Sequence, residues 1–214
     1  MVNFHQESVT TPSSMFGKIC STVEWCRHDV LDATLEIAIE IAREGREGRR
    51  IGTLFTLGNA EAVLASSRAL ILDPLAGHSP VATHITDPSL RGTVKELAQL
   101  DGAFVIADDG TVVAACRYLD ASVENVSLPL GLGSRHLAAA SVSQKLDIIA
   151  IVVSESAVVR VFYRGALAAE IIPELWLLAR HHTQLRGRVS EQHVQDLAIF
   201  TTDPGETVGT FEKS

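Results

Sequence analysis

Phe104-Val-Ile-Ala-Asp-Asp-Gly-Thr-Val-Val-Ala-Ala-Cys116 and the later run Ile148-Ile-Ala-Ile-Val-Val153 decide the fold. In the first stretch, Asp109-Gly110 separates two apolar runs, and Asp-Gly readily supplies the positive φ angles of a tight hairpin turn. The second stretch is apolar throughout and as long as a strand, which is typical of a strand buried on both faces. We therefore predict a β-sheet in the centre of the protein.

Helices are predicted around this sheet. Leu31, Leu35, Ala38 and Ile41 recur at helical spacing, and the pattern stops in the Gly- and Arg-rich run over 44–50. The other expected elements are strands over 51–57 and 158–163, helices over 60–67, 93–100 and 134–145, and a final helix over 170–180 with Pro173 in its first turn. The alternation indicates an α/β fold.

The length of 214 residues fits one sizeable domain with short extensions. We expect an N-terminal extension over 1–28, the domain over 29–180 and a polar, partly mobile tail over 181–214. The net charge of -8 argues against a nucleic-acid partner. Cys20, Cys26 and Cys116 cannot all pair, which favours a reducing, cytoplasmic compartment. An apolar run of about 18 residues is missing, so we predict no membrane span.

A candidate phosphate site lies where Gly131 and Gly133 precede the predicted helix, with Ser134 as its N-cap. Free N–H groups and the helix dipole meet there and suit an anion. Arg135 and His136 occupy the first turn, where cations are normally disfavoured, so an anionic group should offset them. The alternative is structural: Arg135 pairs with a nearby carboxylate and His136 is a satisfied buried residue.

Two further segments carry acidic residues at element ends. Asp101-Gly102 stands between a predicted helix and a strand, and Ser154-Glu155 directly follows the buried strand. Ligands of α/β sheets commonly bind at the carboxyl ends of strands. The alternatives are an ordinary turn for the first segment and a loop with a solvated glutamate for the second.

The order of these segments resembles the diadenylate cyclase family. DGAFVIADDGTVVAACRYL over 101–119 and GLGSRHLAAASVSQKLDIIAIVVSES over 131–156 are similar to its DGA motif, its Gly-Thr-Arg-His-Arg segment and its Val-Val-Ser-Glu strand end. IAREGREGRRIGTLFTLGN over 41–59 and LILDP over 70–74 resemble the family too. The resemblance implies a single domain with a central twisted mixed β-sheet flanked by helices.

The resemblance also implies roles for individual residues. Asp101 would hold a divalent metal, Mn²⁺ or Mg²⁺, and help activate a 3′-hydroxyl. Glu155 would be a second metal ligand, and Asp101, Arg135 and His136 would be the catalytic residues. The nucleotide-binding residues would be Gly102, Ala103, Leu119, Gly133, Ser134, Arg135, His136, Ser154 and Glu155.

The implied reaction joins two ATP molecules into cyclic di-AMP and releases two pyrophosphates, with two protomers of a homo-oligomer facing each other. One residue departs from the family: Leu137 stands where a second arginine is usual. Leu137 could be a core position, with Arg91 or Arg117 compensating. The alternative functions are a nucleotide-binding regulator, which binds ATP or cyclic di-AMP without turnover, and a structural α/β subunit.

Overall fold

The structure is a computed structural model. It describes residue 20 and residues 23–120, 126, 131–173, 189–194 and 197–202. The helices in its main part are α1 (His28–Glu44), α2 (Ala60–Ala65), α3 (Pro88–Leu97) and α4 (Ser134–Lys145). The strands there are β1 (Thr53–Gly58), β2 (Ser67–Ala69), β3 (Ala103–Ala107), β4 (Val112–Leu119), β5 (Ile148–Val153), β6 (Val159–Tyr163) and β7 (Ala166–Ile171).

These strands form one seven-stranded sheet in the order β2-β4-β3-β1-β5-β6-β7. β1 runs parallel to β3 and antiparallel to β5, and all other neighbours are antiparallel. The sheet is therefore mixed. With helices packed against it, the structure confirms the predicted α/β fold.

The strand β5 is buried on both faces, as its apolar run predicts. Ile148, Ala150 and Val152 belong to one apolar cluster with residues of α4. Successive side chains of a strand alternate between faces, and α1 also packs on β5. Helices thus cover both faces of the centre of the sheet, which leaves its edges and strand ends for ligands.

The predicted hairpin is confirmed as β3 and β4. Gly110 has φ of +98°, and the backbone N–H of Thr111 donates to Asp109 Oδ1 at 2.8 Å. A β-carbon at Gly110 would lie 2.8 Å from His84 Nε2, so a side chain has no room there. Both the turn geometry and the packing require glycine.

Three predicted helices differ from the structure. The helix expected over 60–67 ends at Ala65, and Ser67–Ala69 is instead an edge strand paired with β4. The helix expected over 93–100 begins at Pro88, because Asp87 caps it by accepting from the N–H of Ser89. The prediction of a helix over 170–180 is wrong at its start, where the structure has a strand.

Glu170 belongs to β7, where it lies opposite Arg160 of β6. Hydrogen bonding to the neighbouring strand outweighs the helical pattern at this point. The helical state is found at Pro173, and residues 174–180 lie outside the described residues. Ile171 is buried, so the strand also anchors its end in the core.

The chain divides into two compact units at residues 173 and 174. The second unit contains the antiparallel strands β8 (Val189–Val194) and β9 (Leu197–Thr202), which the prediction of a polar tail did not include. In the first unit, Cys20 and Cys26 form a disulfide that the sequence analysis did not predict. Among the described residues, no helix is long and apolar enough to cross a bilayer.

Candidate active site at the start of helix α4

Two clefts lie on either side of Arg135, in the first turn of α4. The larger, of about 560 Å³, is lined by Leu54, Leu70, Asp101, Gly102, Ala103, Arg117, Tyr118, Leu119, Ser134, Arg135, Leu137 and Ala138. The smaller, of about 240 Å³, is lined by Gly131, Gly133, Ser134, Arg135, His136, Val152, Val153, Ser154 and Glu155. Every predicted site residue therefore lines at least one of the two clefts.

Asp101 is held at the start of β3 by the backbone of Gly102. Gly102 has φ of +111°, and a β-carbon there would lie 2.6 Å from the carbonyl carbon of Cys116 and 2.7 Å from the amide nitrogen of Arg117. Cys116 itself has φ of +55°, at an irregularity in the β3–β4 ladder. This close approach of two backbones requires glycine, so Asp101-Gly102 is a constrained junction rather than an ordinary turn.

Ser154 and Glu155 follow the end of β5 in a tight turn. The N–H of Ser154 donates to the carbonyl of Val158 at 3.0 Å, and the N–H of Ala157 donates to the carbonyl of Ser154 at 2.9 Å. Ser154 Oγ accepts from the N–H of Ser156 at 3.2 Å. These bonds fix the turn and leave the Glu155 side chain 68% exposed.

Arg135 connects the two acidic segments. Its Nη2 lies 3.2 Å from Asp101 Oδ1, and its Nη1 lies 3.3 Å from Glu155 Oε1. This is the anionic partner that a cation in the first turn of a helix needs, and it is supplied by two segments far apart in sequence. Ser134 is not the N-cap as predicted: Gly133 is, and no side chain among the described residues caps the helix start. Its first N–H groups therefore remain available to a ligand.

His136 is buried, with 6% of its surface exposed. Its ring packs edge-on against Phe162, and its Nε2 lies 3.3 Å from Arg160 Nη1. Burial is the main cause that lowers the pKa of His136, and the positive charges of Arg160 and Arg135 lower it further. A His136 that is neutral near pH 7 follows from these surroundings.

Leu137 lines the larger cleft and is half-buried, so it is not a core position. Neither suggested substitute for a second arginine is free. Arg91 pairs with Glu36 and Glu40 and lines a separate cleft. Arg117 lines the larger cleft, but its guanidinium donates to Ser67 and to the carbonyl of Leu64. The larger cleft therefore has an apolar wall at Leu137.

Gly52 borders the candidate site, although the sequence analysis did not single it out. It precedes β1, and a β-carbon there would lie 2.7 Å from Arg135 Nη1 and 3.3 Å from Glu155 Cγ. The signal was present, since Gly52 lies within the stretch over 41–59 that resembles the family. Gly52 lies beside Arg135 because β1 begins next to the end of β5, a pairing of distant segments that the sequence does not reveal.

The acidic pair fits a divalent cation that arrives with a nucleotide. The described residues contain no group of three or more His, Cys, Asp or Glu side chains that could hold a metal by itself. Mg²⁺, however, is commonly bound through one or two carboxylates together with phosphate oxygens and water. Asp101 and Glu155 both contact Arg135, and such a carboxylate pair suits that mode of binding.

The fold and the site define an α/β domain with an uncapped, glycine-led helix start beside two carboxylates. A family model described as "DAC: DisA bacterial checkpoint controller nucleotide-binding" matches residues 40–167. This is more than half of the chain, and the chain therefore belongs to this family. The resemblance predicted from the sequence is confirmed.

Two relatives are named diadenylate cyclase. The protein of Methanocaldococcus jannaschii is 43% identical over 162 residues, which cover 75% of this chain and 51% of that protein. The protein of Haloferax volcanii is 40% identical over 148 residues, which cover 69% of this chain and 54% of that protein. The chain thus spans about half the length of these curated relatives. A crystal structure of a DacA double mutant from Staphylococcus aureus has a TM-score of 0.46 and 23% identity, covering 71% of this chain and 94% of that one.

Replacing Gly102 with alanine tests the junction. We expect Gly102→Ala to lower the free energy of unfolding by about 1–3 kcal/mol or more, because the residue has a positive φ and the clash is with backbone atoms. The measurement is denaturant unfolding followed by circular dichroism. Gly92→Ala is the matched control: Gly92 is inside α3 with open space around it, so alanine there should be neutral or stabilising. Equal stability of the two variants would contradict the assignment.

Proposed function

We propose that this protein is a diadenylate cyclase that converts two ATP into cyclic di-AMP and two pyrophosphates. The observation that carries the proposal is the contact of Arg135, in the first turn of a glycine-led helix, with both Asp101 and Glu155. These three residues come from the three segments that resemble the family's motifs. The curated relatives, which bear the name diadenylate cyclase, support the same reaction.

Arg135 acts as a ligand for the triphosphate. Its two ion pairs are largely exposed, and such pairs contribute only about 0–1 kcal/mol each, so phosphate oxygens can replace the carboxylates at little cost. A guanidinium binds phosphate oxygens in bidentate fashion, and the open N–H groups of α4 add further donors. ATP binding would therefore release Asp101 and Glu155 from Arg135.

The released carboxylates would hold the divalent metal. Mn²⁺ or Mg²⁺ bound there would neutralise charge that grows on the phosphates in the transition state. Asp101, 86% exposed and beside the larger cleft, would orient and accept the proton of a 3′-hydroxyl. The adenine and ribose would occupy the larger cleft, where Leu119 and Ala103 supply apolar surface.

The reaction requires two sites that face each other. Each 3′-oxygen attacks the α-phosphorus of the other nucleotide, the bond between the α- and β-phosphates breaks, and pyrophosphate leaves with its electron pair. Because the described part of each domain offers one such site, the second nucleotide would come from another protomer. Holding both nucleotides in line would supply much of the rate enhancement.

An apolar surface next to the larger cleft suits this second protomer. Leu70 and Tyr118 line the cleft and are partly exposed, and the adjacent Ile71 and Leu72 are 48% and 94% exposed. Exposed apolar side chains that adjoin each other commonly mark protein–protein contacts. We place the homo-oligomer contact on this surface, over residues 70–72 and 118, without a nucleic-acid or membrane partner.

A nucleotide-binding regulator is the second candidate, favoured by Leu137. Such a protein would bind ATP or cyclic di-AMP at the same clefts without turnover. A purely structural subunit has less support, because it does not explain why two clefts with a shared arginine lie at the motif residues. Turnover and binding assays distinguish the three.

Incubation with ATP and Mn²⁺ or Mg²⁺ should yield cyclic di-AMP and pyrophosphate, detected by mass spectrometry. Asp101→Asn should reduce the rate by roughly 10²–10⁴-fold, because an amide cannot accept the hydroxyl proton. Asp108→Asn removes the same charge in the exposed β3–β4 turn and should leave the rate unchanged. If the unmodified protein binds the nucleotide but forms no product, it is a regulator. If it neither binds the nucleotide nor forms product, it is a structural subunit.

Dilution tests the facing protomers. The rate should fall more steeply than in proportion to protein concentration, because the active species is an oligomer. Leu72→Asp should raise the concentration needed for half-maximal specific activity by roughly tenfold, the effect of losing one central apolar contact. Val81→Asp, at a residue that is 83% exposed and lines neither cleft, serves as the control. Rates proportional to protein concentration down to nanomolar levels would exclude the oligomer.

Leu137→Arg tests the departure from the family. A charge-assisted hydrogen bond to a phosphate is worth about 1.5–3 kcal/mol, so kcat/KM for ATP should rise roughly tenfold or more. Leu137→Met keeps the volume and the apolar character and should leave kcat/KM nearly unchanged. An arginine variant that folds normally but shows no gain would mean that Leu137 faces no phosphate.

A further inference from the structure

Three polar side chains form a chain behind the smaller cleft. Glu170 Oε1 accepts from Arg160 Nε at 2.6 Å, across the directly opposed positions of β7 and β6. Arg160 Nη1 then lies 3.3 Å from His136 Nε2. The Arg160 side chain is only 15% exposed, so this chain is sheltered from solvent over most of its length.

The direction of the hydrogen bonds in this chain follows from chemistry. A guanidinium can donate but cannot accept, so His136 Nε2 must accept with its lone pair. A neutral imidazole carries one proton, which must then reside on Nδ1. Burial and the adjacent positive charges lower the pKa of His136 and thus favour this neutral ring. The contact with Arg160 therefore selects the Nδ1–H tautomer.

The Nδ1–H group of His136 has no hydrogen-bond partner among the residues that the structure describes, although the atom is buried. Buried donors in native proteins are nearly always satisfied, so an orphan donor needs an acceptor from elsewhere. His136 lines the smaller cleft, beside the open start of α4. Because Nδ1 itself is buried, an anionic oxygen bound in that cleft would accept from it after a small shift of the ring or of the helix start.

We propose that Arg160, held by Glu170, is a positioning residue that fixes the tautomer of His136 so that Nδ1–H donates to a phosphate oxygen of the nucleotide. This inference rests on the proposed function for the identity of the anion, but the tautomer itself does not depend on turnover. Arg160 does not replace the arginine missing at position 137, because Leu137 lines the larger cleft and Arg160 lines neither.

The tautomer is measured directly by NMR on the full chain with isotope-labelled histidine. The resonances of His136, one of eight histidines, are identified by their absence in His136→Asn. The unmodified protein should show protonation at Nδ1, and Arg160→Met should shift protonation toward Nε2. Arg164→Met removes the same charge from the same β6–β7 hairpin and should leave the tautomer unchanged. Protonation at Nε2 in the unmodified protein, or no shift in Arg160→Met, overturns the proposal.

The second readout is the affinity for a non-hydrolysable ATP analogue, measured by calorimetry. Loss of a partner that orients an imidazole typically costs roughly 10–100-fold, as known for metal-bound histidines, and Arg160→Met should lose at least tenfold. Arg160→Lys retains a cationic donor and should recover part of the loss. A changed tautomer with unchanged affinity overturns the positioning role.

A second variant covers a folding failure, and the binding result separates this proposal from the proposed function. Should Arg160→Met fail to fold, Glu170→Gln leaves Arg160 in place but weakens its anchor, and a smaller shift in the same direction is expected for both tautomer and affinity. Absence of shifts in Glu170→Gln then overturns the proposal. Should the unmodified protein bind no ATP analogue, the proposed function fails, and with it the phosphate as acceptor, whereas the tautomer measurement still decides the role of Arg160.

Discussion

The pairing of β1 with two different neighbours is the constraint on which the site depends. β3 runs parallel to β1 and begins beside its start, with Ala103 opposite Leu54, whereas β5 runs antiparallel and ends there, with Val153 opposite Thr53. The first residues of β1 and β3 and the last residues of β5 therefore lie side by side at the same end of the central strands. This meeting brings Gly52, the Asp101 junction and the Glu155 turn within reach of a single side chain.

This geometry lets Arg135 form two ion pairs, but these pairs contribute little to the stability of the fold. Its two carboxylate partners are 86% and 68% exposed, so water screens both pairs. Weak pairs suit the proposed exchange of partners when a phosphate arrives. The buried contacts behind the cleft have the opposite character: Arg160 and His136 are sheltered, and breaking a buried polar contact leaves an unsatisfied group. The exposed ion pairs of Arg135 are therefore easily exchanged, whereas the buried contact between Arg160 and His136 is held in place.

Much of the fold could be predicted because the relevant signals are local. The Asp109-Gly110 turn and the apolar run of β5 appear in the structure where the sequence placed them. The errors arise where a neighbour outweighs a local preference. Ser67 is predicted to be helical but pairs with β4, and Glu170 is predicted to be helical but lies opposite Arg160 of β6. Such pairings join residues distant in sequence, and periodicity within one segment does not detect them.

The sequence by itself determined the family, the central strands and the candidate motif residues, because each depends on short stretches with a definite chemical pattern. Only the tertiary structure decided how these residues act on each other. It placed Arg135 between Asp101 and Glu155, assigned Leu137 to the wall of a cleft, and put Arg160 behind His136. The physical reason is that hydrogen bonds and ion pairs depend on distances of a few ångströms, which only the packing of the sheet and its helices sets.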